Sequence, residues 1–137
     1  IRARIAAARP DDVPTVTDKE LAFAQTWIGK HPADYAAAHY FHLLADATCA
    51  PDGLQAVAQS ELKHTRDSLT SLYTCYESVW HHRRWCVLVL ARRACLHLAD
   101  GERAFLASIQ QSHGSNAAAA RLIANHTAWL ARELPAV

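Results

Sequence analysis

Hydrophobic positions in this chain recur at intervals of three, four and seven residues. Leu21, Ala24 and Ile28 stand at i, i+3 and i+7 with Trp27 beside them, Trp80, Val87, Leu90 and Ala94 lie along one face, and Leu122, His126 and Trp129 form a stripe flanked by Ile123 and Leu130. On a 3.6-residue period these spacings gather side chains on one side of a helix. No alternating run of β-branched residues competes. Turn-forming residues divide the pattern at Pro10–Pro14, Lys30-His31-Pro32, Ala50-Pro51-Asp52-Gly53, Tyr73-Thr74-Cys75, Asp100-Gly101 and Ser112-His113-Gly114-Ser115. Asp18, Asp52, Asp100 and Ser115 stand where N-caps are expected. The pattern predicts helices over 18–30, 34–47, 52–72, 76–99, 101–112 and 115–133, with residues 1–9 as the tail of a preceding helix. Short connections make sequential helices antiparallel neighbours. The expected fold class is therefore all-α, an array of antiparallel helical hairpins (an α-α superhelix or solenoid). Residues 1–17 form a tail and linker, and 18–137 hold three hairpins at 18–47, 52–99 and 101–133.

Composition narrows the function classes. Of 137 residues, 51% are hydrophobic and 20% charged, with four glycines and five prolines, the balance of a globular helical chain. A net charge of +1 with both signs interspersed gives no field suited to nucleic acid or an anionic membrane. No apolar run approaches the length of a membrane span. Cys49, Cys75, Cys86 and Cys95 match no zinc or redox spacing. They are expected as free thiols, with Cys75, Cys86 and Cys95 in apolar settings, which fits a reducing compartment such as the cytoplasm. Three arginines and no acid among the first ten residues leave a mitochondrial alternative open, against the plainer reading of an ordinary helix end.

The hairpins resemble one another. Glu20-Leu21-Ala22-Phe23 aligns with Glu61-Leu62-Lys63-His64 at an offset of 41, and Ala38 to Leu43 aligns with Trp80 to Trp85 at 42. The third hairpin is fainter, matching His82 to His126 and Trp85 to Trp129 at 44. Such a period with two helices per unit indicates a stacked helical array. The stretch Tyr76-Glu77-Ser78-Val79-Trp80-His81-His82-Arg83-Arg84-Trp85 resembles the core of the protein prenyltransferase α-subunit repeat, and Pro32-Ala33-Asp34-Tyr35 resembles its start. The order of units is most similar to the C-terminal repeats of the prenyltransferase α-subunit repeat-containing proteins. The resemblance covers roughly residues 18–133, but Ala38 and Phe41 replace the signature Trp and Arg in the first unit. It implies repeat-signature packing by Tyr35, His39, Tyr40, Tyr76, Trp80, His82, Arg83, Trp85, His126 and Trp129. Trp80 is expected to fill the groove between adjacent hairpins, His82 to bond a neighbouring helix, and one of Arg83 and Arg84 to reach acidic groups of the next hairpin.

Candidate chemistry is sparse. His39 and His42 have a chelating i, i+3 spacing, but the nearest acids, Asp34 and Asp46, do not complete a metal site. No strained nucleophile turn or glycine-rich phosphate loop appears. The basic run His81 to Arg84 with Arg92 and Arg93 is interleaved with core positions and has Glu61, Asp67 and Glu77 nearby, which favours a salt-bridged face over RNA binding. In prenyltransferases the zinc and most of the isoprenoid pocket belong to the β subunit, and neither Lys30 nor Lys63 lies in the motif of the lysine that farnesyl-enzyme α subunits direct at that site. The resemblance thus implies no catalytic residue, no cofactor and no metal here. The expected function is a non-catalytic helical-repeat subunit whose partner is a prenyltransferase β-type subunit. The alternative is a scaffold module within a larger assembly, organellar or otherwise.

Overall fold

A computed structural model describes residues 13–93 and 97–134, with side chains from Asp18 onward. Among the described residues the chain is entirely helical, with no strand: α1 (Val13–Lys30), α2 (Tyr35–Thr48), α3 (Pro51–Thr70), α4 (Glu77–Arg92), α5 (Leu98–His113) and α6 (Ala117–Glu133). The expected tail over residues 1–9 and Cys95 lie outside the described residues. The chain divides into two compact units, residues 1–54 and 55–137.

In the first unit α1 and α2 pack against each other. Ala24, Ala38 and Ala45 are buried, and such small side chains let two helices approach closely. Ile28, Phe41 and Leu44 are also buried. The turn after α1 is closed by Asp34, whose Oδ1 accepts the Ala37 N–H at 2.9 Å as the N-cap of α2. In the second unit one cluster draws Leu69 from α3, Trp80 and Val87 from α4, Phe105 and Ile109 from α5, and Leu122 and Leu130 from α6.

Several boundaries differ from the sequence reading. Helix α1 starts at Val13, so Pro14 lies in its first turn, where proline loses no helical hydrogen bond, and Asp18 is inside the helix and not its cap. Asp52 and Asp100 stand in the first turns of α3 and α5, where a carboxylate favours the helix dipole without capping. Gly101 is likewise helical. The expected helix over 76–99 ends at Arg92, and α5 begins at Leu98 behind His97, whose φ of 63° is left-handed. Asn116, and not Ser115, caps α6: its Oδ1 accepts the Ala119 N–H at 3.0 Å.

Candidate functional site

The second unit buries a connected set of charged and polar side chains at the joint between its two hairpins. The turn ahead of α4 sets it up. Tyr73 N–H reaches back to the Ser68 carbonyl at 3.2 Å, and the Thr74 hydroxyl donates to the Leu69 carbonyl at the end of α3. The Trp80 Nε1–H then donates to the Thr74 carbonyl at 2.9 Å, satisfying the polar edge of a fully buried indole. Its ring lies 5.0 Å from His126 and 6.3 Å from Phe105, so Trp80 of the second hairpin is packed against both helices of the third.

Arg83, one turn further along α4, is fully buried and joins three helices. Its Nε donates to Glu102 Oε2 at 3.1 Å and its Nη2 to Glu102 Oε1, a two-pronged bond from α4 to α5. Its Nη1 donates to the Leu62 carbonyl at 2.9 Å and to Thr65 Oγ1 at 3.0 Å on α3. The guanidinium carbon also sits 3.9 Å from the centre of the Phe105 ring.

Two imidazole–carboxylate pairs tie each hairpin to itself. His82 Nε2 lies 2.9 Å from Glu61 Oε2, from α4 to α3, and His126 Nε2 lies 3.2 Å from Glu102 Oε2, from α6 to α5. Arg84 Nε donates to His126 Nδ1 at 3.4 Å, so Nδ1 accepts and Nε2 carries the hydrogen given to Glu102. Burial pushes His126 below its ordinary imidazole value. Glu102 pulls the other way and Arg84 and Arg83 add to the depression. Burial alone would raise Glu102, but its bonds to His126 and Arg83 outweigh this and hold it below the usual carboxylate value.

The remaining positions are less central. Trp85 stacks on His82 at 6.0 Å and Trp129 on His126 at 5.3 Å, the same i, i+3 pairing in both hairpins. Tyr76 occupies the N-cap position of α4, 40% exposed, with its ring against Tyr73. In the first unit Tyr35 and His39 are exposed and Tyr40 is half-buried. The structure thus gathers Trp80, Arg83 and His126 at one joint, with His82, Trp85 and Trp129 bordering it, and leaves Tyr35, His39 and Tyr76 at the surface. Glu102 is the central residue that the sequence reading passed over. Its signal was present, because Glu102 follows Glu61 by the same 41 residues that separate Glu61 from Glu20, and all three are 2% exposed.

Residues 58–90 match the family model of the protein prenyltransferase alpha subunit repeat. The chain carries this prenyltransferase repeat across most of α3 and α4, so the match contains Glu61, Trp80, His82 and Arg83. These four residues bond to neighbouring groups of the fold and are at most 5% exposed. No curated protein and no solved structure matches the chain.

Among the described residues no group of three or more His, Cys, Asp or Glu side chains is placed to hold a metal ion, and no helix is long and apolar enough to cross a membrane. Cys86 is buried, and burial raises its thiol well above the ordinary value. Cys75, expected in an apolar setting, is instead exposed on the turn before α4, its Sγ 3.5 Å from Asn116 Oδ1. The basic run of α4 is divided: Arg83 is wholly interior, Arg84 lies over Trp129, and Arg92 and Arg93 are exposed.

Proposed function

We propose that this chain is a non-catalytic helical-repeat subunit that holds a protein partner, as a prenyltransferase α-type subunit holds its β-type partner. The observation that carries this reading is the use made of the repeat signature. Trp80, His82, Arg83, Glu61, Glu102 and His126 are all at most 5% exposed, and each is bonded to protein groups. A general acid or base must reach the proton it transfers. These side chains face each other inside the fold and serve as joints between helices. In the resembled enzymes the reaction centre lies on the other subunit, so the role left to an α-type repeat is to present its helices to that subunit.

A second reading is a structural module of a large assembly. It is favoured by the first hairpin, where Ala38 and Phe41 stand at the positions of Trp80 and Arg83 and the signature is lost. Native mass separates the two. A heterodimer of ordinary size in a native extract is the expected result for the subunit reading, and a megadalton particle for the scaffold. A chain that migrates at its own 15.1 kDa in such an extract overturns both.

A further inference from the structure

The first hairpin presents a surface that the buried joint does not use. Phe23, Trp27 and His31 follow one another at i, i+4 and i+8, with the Trp27 ring 3.8 Å from that of His31 and 6.2 Å from that of Phe23, both stacked. Phe23 is 55% exposed and Trp27 39%. Between α1 and α2 lies an open groove of about 360 Å³ lined by three aromatic rings, Phe23, Trp27 and Tyr40, and by small alanines of both helices. One carboxylate belongs to the same lining. Asp34 Oδ2 accepts the Trp27 Nε1–H at 2.9 Å and Oδ1 accepts the Ala37 N–H, and the indole first and the amide second hold this carboxyl below its ordinary value.

The chemistry of this lining selects a ligand. Aromatic faces attract cations through their quadrupole. Asp34 accepts from the Trp27 indole and from the Ala37 and Ala36 amides, which leaves about one of the roughly four lone-pair sites of its carboxylate for a further donor. A purely apolar ligand would cover an ionised carboxylate without compensating it, which is unfavourable, and an anion would be repelled. A long basic side chain meets both features, laying its methylenes on the rings while its charged head reaches Asp34. We propose that the groove between α1 and α2 recognises a lysine or arginine side chain carried, next to apolar residues, on a peptide segment of a protein partner. The proposal deepens the partner-holding reading and rests on it.

The test uses the whole 137-residue chain and a random dodecamer peptide library. The comparison variant is Asp34→Asn, since asparagine caps a helix as well as aspartate and keeps the hairpin while removing the charge. Circular dichroism of the variant should match the parent. Peptides selected on the parent should share a lysine or arginine beside an apolar residue. They should shift the Trp27 indole N–H resonance, weaken as salt is raised, and lose about tenfold in affinity on Asp34→Asn. Selected peptides without a basic residue, equal binding to Asp34→Asn, or no selected binder at all would overturn the proposal. If a partner still co-purifies in those cases, the groove assignment alone fails. A chain that is monomeric in a native extract removes the partner-holding reading itself.

Discussion

Removing the Arg83 side chain isolates the energetic role of the joint. In Arg83→Met the apolar stem is kept and the guanidinium is lost. The Leu62 carbonyl keeps a donor, because the Thr65 hydroxyl bonds it at 2.9 Å. The burden therefore falls on Glu102, left buried with His126 alone. Breaking a buried ion pair from one side costs about 3–5 kcal/mol, a large part of the roughly 5–15 kcal/mol that stabilises a domain. Glu102→Gln in the same chain removes the orphaned charge, while the amide oxygen that replaces the carboxylate can still accept from His126. The double variant should recover much of the loss, with a coupling of about 2–3 kcal/mol. Urea unfolding followed by tryptophan fluorescence measures all four corners of the cycle, and Trp80 and Trp129 report from the joint itself. An Arg83→Met variant within about 1 kcal/mol of the parent, or single effects that add to within about 0.5 kcal/mol, would refute the account of Arg83 as the charged link between hairpins.

Trp80→Ala should cost about 3–5 kcal/mol, since a fully buried ring packed against Phe105 and His126 is lost, whereas Arg92→Ala on the exposed end of the same helix should change stability by about 0.5 kcal/mol. Thermal melts compare the two, and equal melting temperatures would make Trp80 a surface residue in solution. Gly114→Ala should destabilise by about 1–3 kcal/mol, because a Cβ there would run into the side-chain amide and carbonyl oxygen of Gln110; an unchanged urea midpoint would count against this crowding. Stability should fall on acidification. The lowered His126 value means the unfolded chain binds the extra proton first as pH drops below about 6.5, and the lowered Glu102 value adds a second loss below its ordinary carboxylate range. Melts in buffers from about pH 7.5 to about 5.5, the range that brackets an ordinary imidazole, should show a shallower decline in His126→Gln, and an identical decline would exclude His126 as a source.

What the sequence made legible follows from which physical signals are local. Helical periodicity is local, so the all-α class and the hairpin order were readable from stripes such as Leu122, His126 and Trp129. Helix starts were less legible, because an aspartate near a helix start is favourable both as a cap and in the first turn. Asp52 and Asp100 take the second role, while Asp34, whose oxygen does cap, was passed over. The repeat points one of Arg83 and Arg84 toward the next hairpin's acidic groups, but neither which of the two nor the acid itself is legible in it. Glu102 was hidden by reading Asp100-Gly101 as a break, although glycine and aspartate are tolerated in a first turn. The aromatic groove of the first hairpin could not be read, since the Trp27–Asp34 bond spans the turn between two helices.

The repeat distributes two kinds of buried polar contact differently along the chain. The bond within a hairpin joins a glutamate on its first helix to an imidazole on its second, as Glu61 with His82 and Glu102 with His126. The ion pair from the second hairpin to the third is made by Arg83, and at the matching positions the first hairpin has Phe41 and the third has Thr127. A buried ion pair adds little net stability over an apolar contact of the same shape, but a charge displaced from its partner is heavily penalised. Sliding α4 by one turn against α5 would move Arg83 about 5.4 Å along its axis and strand both it and Glu102. The arginine thus selects one register at the joint between the second and third hairpins, where Trp80 also packs against Phe105 and His126.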